Sequence, residues 1–294
     1  MFVRVPGLRI DRPHAGVAWM LLAQLCFAVM GVVGRISSSV APWQEVLLVR
    51  FVAGAFAAWL LARLRHVPLK VVDKKAQFGR SFFGTVAAFG TFYLLAAKQM
   101  PLGDAVTLFA VSPLLVAALS WPVLGERVTL GSTVAIVVGF VGVVAIAKPS
   151  FHTAPLLVCV GLVTATSTAI AMMWLRRMGR TERGEAIVFS FSVFGALVTL
   201  VSALPVLIWP RGYGLVWLCL TGLTGGLGQL CMTRAYALAE AVRVSAVTST
   251  GIVMTRILAL IVFLEVPTFW QWAGTALVLI ATVAVANGGR TKRA

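Results

Sequence analysis

The sequence predicts an all-α integral membrane protein of ten transmembrane helices, arranged as two inverted five-helix repeats. Three observations carry that prediction. The 294 residues are 60% hydrophobic and only 12% charged, with a mean hydropathy of +0.97, whereas a soluble domain carries roughly a quarter charged residues. The apolar residues come in continuous runs of about 20, the length of a membrane-spanning helix, and not in the alternation of a barrel strand. Part of the first half also recurs in the second half.

The spans are expected near residues 15–34, 43–62, 79–98, 103–122, 129–147, 155–175, 186–209, 214–233, 242–264 and 269–288. The first follows Arg4, Arg9 and Arg12 as a signal peptide does, but it runs about 20 residues and lacks an A-x-A site, so it is expected to remain as an anchor. The second carries Arg50 and the third Phe92 and Tyr93. A Ser112-Pro113 step interrupts the fourth, and the eighth holds the glycine run of residues 222–228 (GLTGGLG). That run follows no strand, and close packing through small residues is its simplest role. The ninth carries Ser249-Thr250-Gly251 and Arg256. Several linkers are very short, which makes the helices antiparallel neighbours in one compact membrane domain.

The net charge of +16 would suggest nucleic acid in a soluble chain. Here the basic residues fall mainly in short loops, as topology signals do, so nucleic-acid binding is set aside. With the N-terminus inside, the cytoplasmic segments collect most of them, including Arg63, Arg65, Lys70, Lys74, Lys75, Arg80, Arg176, Arg177, Arg234 and Arg243. The opposite side keeps Arg35, Lys98, Lys148 and Arg211. The asymmetry predicts both termini in the cytoplasm and a multi-pass plasma (inner) membrane protein. Trp43, Trp59, Trp121, Trp174, Trp209, Trp217, Trp270 and Trp272 all fall near helix ends and form interfacial belts. Cys26, Cys159, Cys219 and Cys231 lie in apolar segments without pairing or ligand spacing, which suits a small buried apolar role.

Segment 98–112 (KQMPLGDAVTLFAVS) aligns with segment 234–248 (RAYALAEAVRVSAVT), pairing Asp104 with Glu240 and Ser112 with Thr248; further on, Glu126 aligns with Glu265. The repeats are therefore placed at 1–149 and 150–294, helices one to five and six to ten. Five is odd, so the second copy must be inverted in the membrane, a hallmark of secondary transporters with the substrate held between the halves.

Ten helices in a 5+5 arrangement, the D-A-V turn, the mid-helix S-P and the G-E plus T at the helix four–five junction resemble the drug/metabolite transporter superfamily. The likeness is closest to its EamA-type ten-helix exporters, and its overall look is most similar to the aromatic amino-acid exporter branch. Matching positions are Arg50, Pro101, Asp104, Ser112, Pro113, Glu126 and Thr129, with Glu240, Glu265 and Gly274 in the second copy. The chain departs from the pattern where Thr248-Ser249-Thr250-Gly251 replaces the second S-P.

Enzyme chemistry has no foothold. His14, His66 and His152 are assigned to loops, and no P-loop, G-x-S-x-G or H-E-x-x-H occurs. No cofactor or metal is expected, and without a nucleotide site this chain cannot drive ATP-powered pumping. Arg50 and Arg256 lie inside spans, where a central Arg costs roughly 2.5–3.5 kcal/mol. Two roles fit each: tying down backbone carbonyls, or meeting a substrate carboxylate or acting as a gate. Asp104 and Glu240 open helices, where a carboxylate complements the dipole, with gating as the sharper alternative. Glu126 and Glu265 are gating candidates at opposite faces. The substrate-binding candidates are Trp19, Gln24, Phe27, Arg50, Tyr93, Ser112, Pro113, Thr164, Ser167, Gln229 and Ser249, because matching helix irregularities in two halves point to a midplane site. No Asp, Glu or His lies near the middle of a span, which favours facilitated over proton-coupled transport.

The resulting expectation is an exporter of amino acids, aromatic ones and neutral ones such as threonine, working by alternating access. Its alternative is an exporter of another small metabolite or drug-like amphiphile, with or without proton coupling. The partners expected are the small-molecule substrate and the bilayer. The glycine motifs fit packing within one chain or between two, leaving the oligomeric state open.

Overall fold

The computed structural model describes residues 12–97, 108–109, 111–125, 129–147, 155–179, 181–208, 210–264 and 268–287. Among them lie α1 (Pro13–Ser37), α2 (Trp43–Leu64), α3 (Lys74–Ala96), α4 (Ser112–Leu124), α5 (Leu130–Ala147), α6 (Pro155–Met178), α7 (Gly184–Ala203), α8 (Tyr213–Leu238), α9 (Ala241–Thr248), α10 (Thr250–Phe263) and α11 (Phe269–Asn287). No strand occurs among the described residues. Together α9 and α10 form the expected ninth helix, interrupted at Ser249.

Local chemistry sets the ends. Pro13 and Pro113 stand in the first turns of α1 and α4, where a missing N–H costs nothing. Asp73 caps α3 by accepting from the Ala76 N–H at 2.9 Å. At the end of α4, Gly125 adopts φ +66°, the left-handed closure that glycine allows without strain. Among the described residues, six segments are long and apolar enough to cross a membrane: α1, α2, α6, α7 with its short 3-10 extension, α8, and α9 with α10. Helices α4 and α5 and the core of α11 are shorter apolar helices. Helix α3 is the polar one, and its inner half buries Gln77, Arg80, Ser81 and Thr85. The chain is thus an all-α, multi-pass membrane protein of two repeats.

Packing follows the repeat. Helix α1 lies along α8 and α3 lies along α6, while α2 crosses α7 and α5 pairs with α11. Exchanging the two halves helix for helix turns the α1–α8 pair into α6–α3 and returns α2–α7 and α5–α11 to themselves. Helix α2 also lies against α8, so α2, α7 and α8 meet where the two repeats join.

Several sequence expectations change. Helix α3 begins five residues earlier than expected, so Arg80, expected at the cytoplasmic end of the third span, stands two turns inside the helix and is 1% exposed. Arg176 and Arg243, also assigned to cytoplasmic segments, are buried within α6 and α9. His14 belongs to the first turn of α1, not to a loop. Of the four cysteines only Cys231 is buried, while Cys159 and Cys219 are exposed on helix faces. Trp59, Trp121, Trp270 and Trp272 are exposed near helix ends, as belt residues are, whereas Trp209 lies outside the described residues. The glycine run packs closely: a Cβ on Gly222 would fall 2.8 Å from the Ala53 Cβ, and one on Gly228 would fall 2.7 Å from the Phe27 ring.

Candidate functional site

Two cavities flank the α2–α3 pair. The larger, about 580 Å³, is walled mostly by apolar side chains of α3 and α6, with Trp43 and Val198 completing it. Trp43 meets Phe89 and Tyr93 edge-on, at centroid distances of 5.9 and 6.2 Å. Of the expected binding residues it holds Tyr93 and Thr164. The Thr164 hydroxyl is already committed, donating to the Val160 carbonyl at 2.7 Å, and the free polar atom here is Thr85 Oγ1, which is buried without a partner. Tyr93, Val163 and Val198 are exposed, so the cavity is open on one side.

The second cavity is small and polar at its core. Arg50, Phe51 and Gly54 of α2, Phe191 and Ser192 of α7, and Gly225, Gly226 and Gln229 of α8 line it. It brings together Arg50 and Gln229, two residues that the sequence singled out separately. The Arg50 stem lies against Gly225, where a Cβ would fall 3.0 Å from its Cγ. Its guanidinium carbon lies 5.7 Å from the Phe51 ring centroid and 5.8 Å from that of Phe92. Arg50 Nε and Gln229 Nε2 are buried donors without an acceptor. Unpaired buried donors cost about 1–3 kcal/mol each, more when charged. At about 10 Å³ the cavity has room for a single water at most. While α2, α7 and α8 stay packed as here, nothing larger fits beside these side chains.

The other expected residues are dispersed. Trp19 is 37% exposed on the outer face of α1 and does not join the site. Gln24 donates to Met20 Sδ at 3.3 Å and abuts Gly251, and Phe27 packs on Gly228. Ser112, Pro113, Ser167 and Ser249 line neither cavity. Glu240 stands at the N-cap position of α9, where its carboxylate complements the helix dipole, without a side-chain hydrogen bond to that helix. Asp104, Glu126 and Glu265 lie outside the described residues, as does the side chain of Arg256. Reading the sequence also missed Arg80, whose signal was the Asp73 cap that starts α3 early, and Phe191, which nothing in the local pattern marks. No cluster of His, Cys, Asp or Glu that could hold a metal occurs among the described residues.

A two-repeat helical membrane bundle whose halves join around buried polar side chains is the architecture of secondary transporters. The EamA-like transporter family model matches residues 14–148 and again residues 155–287; the chain belongs to that family. It is 29% identical to the pseudopaline exporter CntI of Pseudomonas aeruginosa (strain UCBPP-PA14), over 97% of this chain and 99% of the relative. It is 27% identical to a riboflavin transporter of Vibrio cholerae, over 96% and 95%. A solved crystal structure with 18% sequence identity superposes with a TM-score of 0.80, covering 92% of this chain and 96% of the other, a likeness of fold. Neither named relative is an aromatic amino-acid exporter, so the expected likeness to that branch narrows to the family as a whole.

Proposed function

We propose that the protein is a secondary carrier that exports small carboxylate-bearing metabolites, amino acids among them, across the inner membrane by alternating access between its two repeats. The observation that carries this reading is the pair of unpaired donors, Arg50 Nε and Gln229 Nε2, on two residues that line one cavity between α2, α7 and α8. A carboxylate satisfies both a guanidinium and an amide donor, and charge-assisted bonds are the strong ones. Phe92 beside Arg50 and the Trp43–Tyr93 wall nearby suit the apolar or aromatic remainder of such a substrate. The wider alternative, a bulkier metabolite or drug-like amphiphile, draws support from the volume of the apolar cavity and from the names of the two relatives. Both termini are proposed on the cytoplasmic face, which labelling of single cysteines placed at each end of the chain in intact cells would test.

The deciding experiment is counterflow in proteoliposomes, using labelled tryptophan, phenylalanine and threonine against a panel of unlabelled carboxylates and their amides. Carboxylates should compete and amides should not, and Arg50→Gln should abolish the exchange. Equal competition by the amides would overturn the carboxylate reading.

A further inference from the structure

A second arginine of the bundle also has no carboxylate partner among the described residues. Arg80 is 1% exposed, and its Nε and Nη1 are buried with no acceptor. Its guanidinium carbon lies 4.1 Å from the centroid of the Phe191 ring. Phe191 in turn lines the Arg50 cavity and meets Phe51 edge-on at 5.4 Å, and Phe51 carries Arg50. The two guanidinium groups are therefore linked through one pair of touching rings. Gly84 keeps the niche open, since a Cβ there would collide with Arg80 Nη1 and lie 2.8 Å from the Phe191 ring.

Four described carboxylates make their contacts away from Arg80. Glu45 accepts from the Ile208 N–H, and Asp73 caps α3 and faces Arg177. Glu182 accepts from the Val72 and Asp73 N–H groups, and Glu185 pairs with Arg65. Arg176 shows what an arginine of equal burial looks like when its role is structural: its Nη1 donates to the Tyr236 carbonyl at 2.9 Å. Arg80 has the Phe191 face but no such acceptor. A guanidinium held in an apolar interior without an anion is costly. One carboxylate answers one of these two charges, which leaves the other uncompensated.

We propose that Arg80 is a second anion-binding residue of the carrier, and that its preferred substrates carry two anionic groups separated by a short apolar chain. One group engages Arg50 and Gln229, and the other reaches Arg80 past the edge of Phe191. This rests on the carboxylate reading above and narrows it to dicarboxylic metabolites, acidic amino acids included. The apolar linker lies against Phe191, and the α2–α7–α8 opening that admits the substrate also frees the ring from between the two charges.

The test is binding to the purified protein, read as the rise in unfolding temperature with ligand concentration. The probes are α,ω-dicarboxylates of three to six carbons and glutamate, each beside its monoamide. Wild type is expected to bind at least one dicarboxylate about tenfold or more tighter than its monoamide, as desolvated charge pairs at close range do. Arg80→Gln should collapse that ratio to about one while monoamide binding persists, Arg80→Lys should restore part of it, and Arg50→Gln should lose both. An unchanged ratio in Arg80→Gln, or no dicarboxylate preference in wild type while monocarboxylates bind, would overturn the second site and leave the carboxylate reading standing. Failure of every carboxylate to bind would overturn both. Should Arg80→Gln fail to fold, Gly84→Ala, which presses on the same guanidinium, must lower the ratio instead.

Discussion

Gly54 of α2 and Gly226 of α8 meet backbone to backbone: a Cβ on Gly226 would fall 3.0 Å from the Gly54 Cα and 3.2 Å from its nitrogen. Neither atom can rotate away, so a methyl group at position 226 must push the helices apart. Gly226→Ala should therefore lower stability by about 1–3 kcal/mol and reduce transport, because Arg50 and Gln229 flank this contact. Gly131→Ala is the control, since a Cβ there meets nothing within 4 Å. Its unfolding temperature should stay level or rise slightly, as helix propensity favours alanine. Thermal unfolding in detergent of both variants checks the pair.

Arg50 makes the opposite prediction. Its Nε has no acceptor and it pairs with no carboxylate among the described residues, and its guanidinium lies near the Phe51 and Phe92 rings. Replacing an unpaired buried charge by an apolar group of similar length is neutral or stabilising. Arg50→Leu should express normally and unfold at the same or a higher temperature, with flux lost. Lost folding would assign Arg50 to the scaffold.

Arg176 is the structural counterpart. Its Nη1 donates to the Tyr236 carbonyl at 2.9 Å and ties the end of α6 to that of α8. Arg176→Met should cost about 2 kcal/mol, the worth of a charge-assisted bond, while the fraction that folds transports at the wild-type rate. A selective loss of flux at unchanged stability would count against this division of labour between the two arginines.

Much of this architecture is legible in the chain because spans are set by composition. The apolar runs that predict 43–62, 129–147 and 269–288 match α2, α5 and α11 within a few residues. Arg50 and Gln229 were also legible, one as a charge inside a span and the other as the repeat partner of Tyr93. Arg80 was not. Hydropathy places the start of α3 where polar residues stop, but Asp73 starts the helix five residues earlier, and the extra turn and a half carries Arg80 inside. Phe191 escaped for a different reason: a phenylalanine in an apolar helix has no sequence signature until its neighbours across the bundle are known. Repeat partners are also not spatial partners here. Tyr93 and Gln229 occupy matching positions in α3 and α8, yet inversion sends one to the wide cavity and the other to the narrow one.

Coupling provides the last prediction. No carboxylate or histidine lines the Arg50 cavity among the described residues, and none lines the wide cavity, whose lining includes Tyr93 and Cys159. Substrate-driven flux in proteoliposomes should therefore be unchanged when a pH gradient of one unit is imposed in either direction. One acid stands close enough in the chain to challenge this. Glu45 lies in the first turn of α2, fully buried, with Oε2 accepting from the Ile208 N–H at 3.2 Å and Oε1 without a partner. Its position at the helix end, five residues before Arg50, suits a clasp between α2 and the segment after α7 more than a proton site, so Glu45→Gln should shift stability and leave the pH-gradient response flat. A gradient-driven flux that Glu45→Gln abolishes would overturn the facilitative reading and make Glu45 the proton-coupling residue.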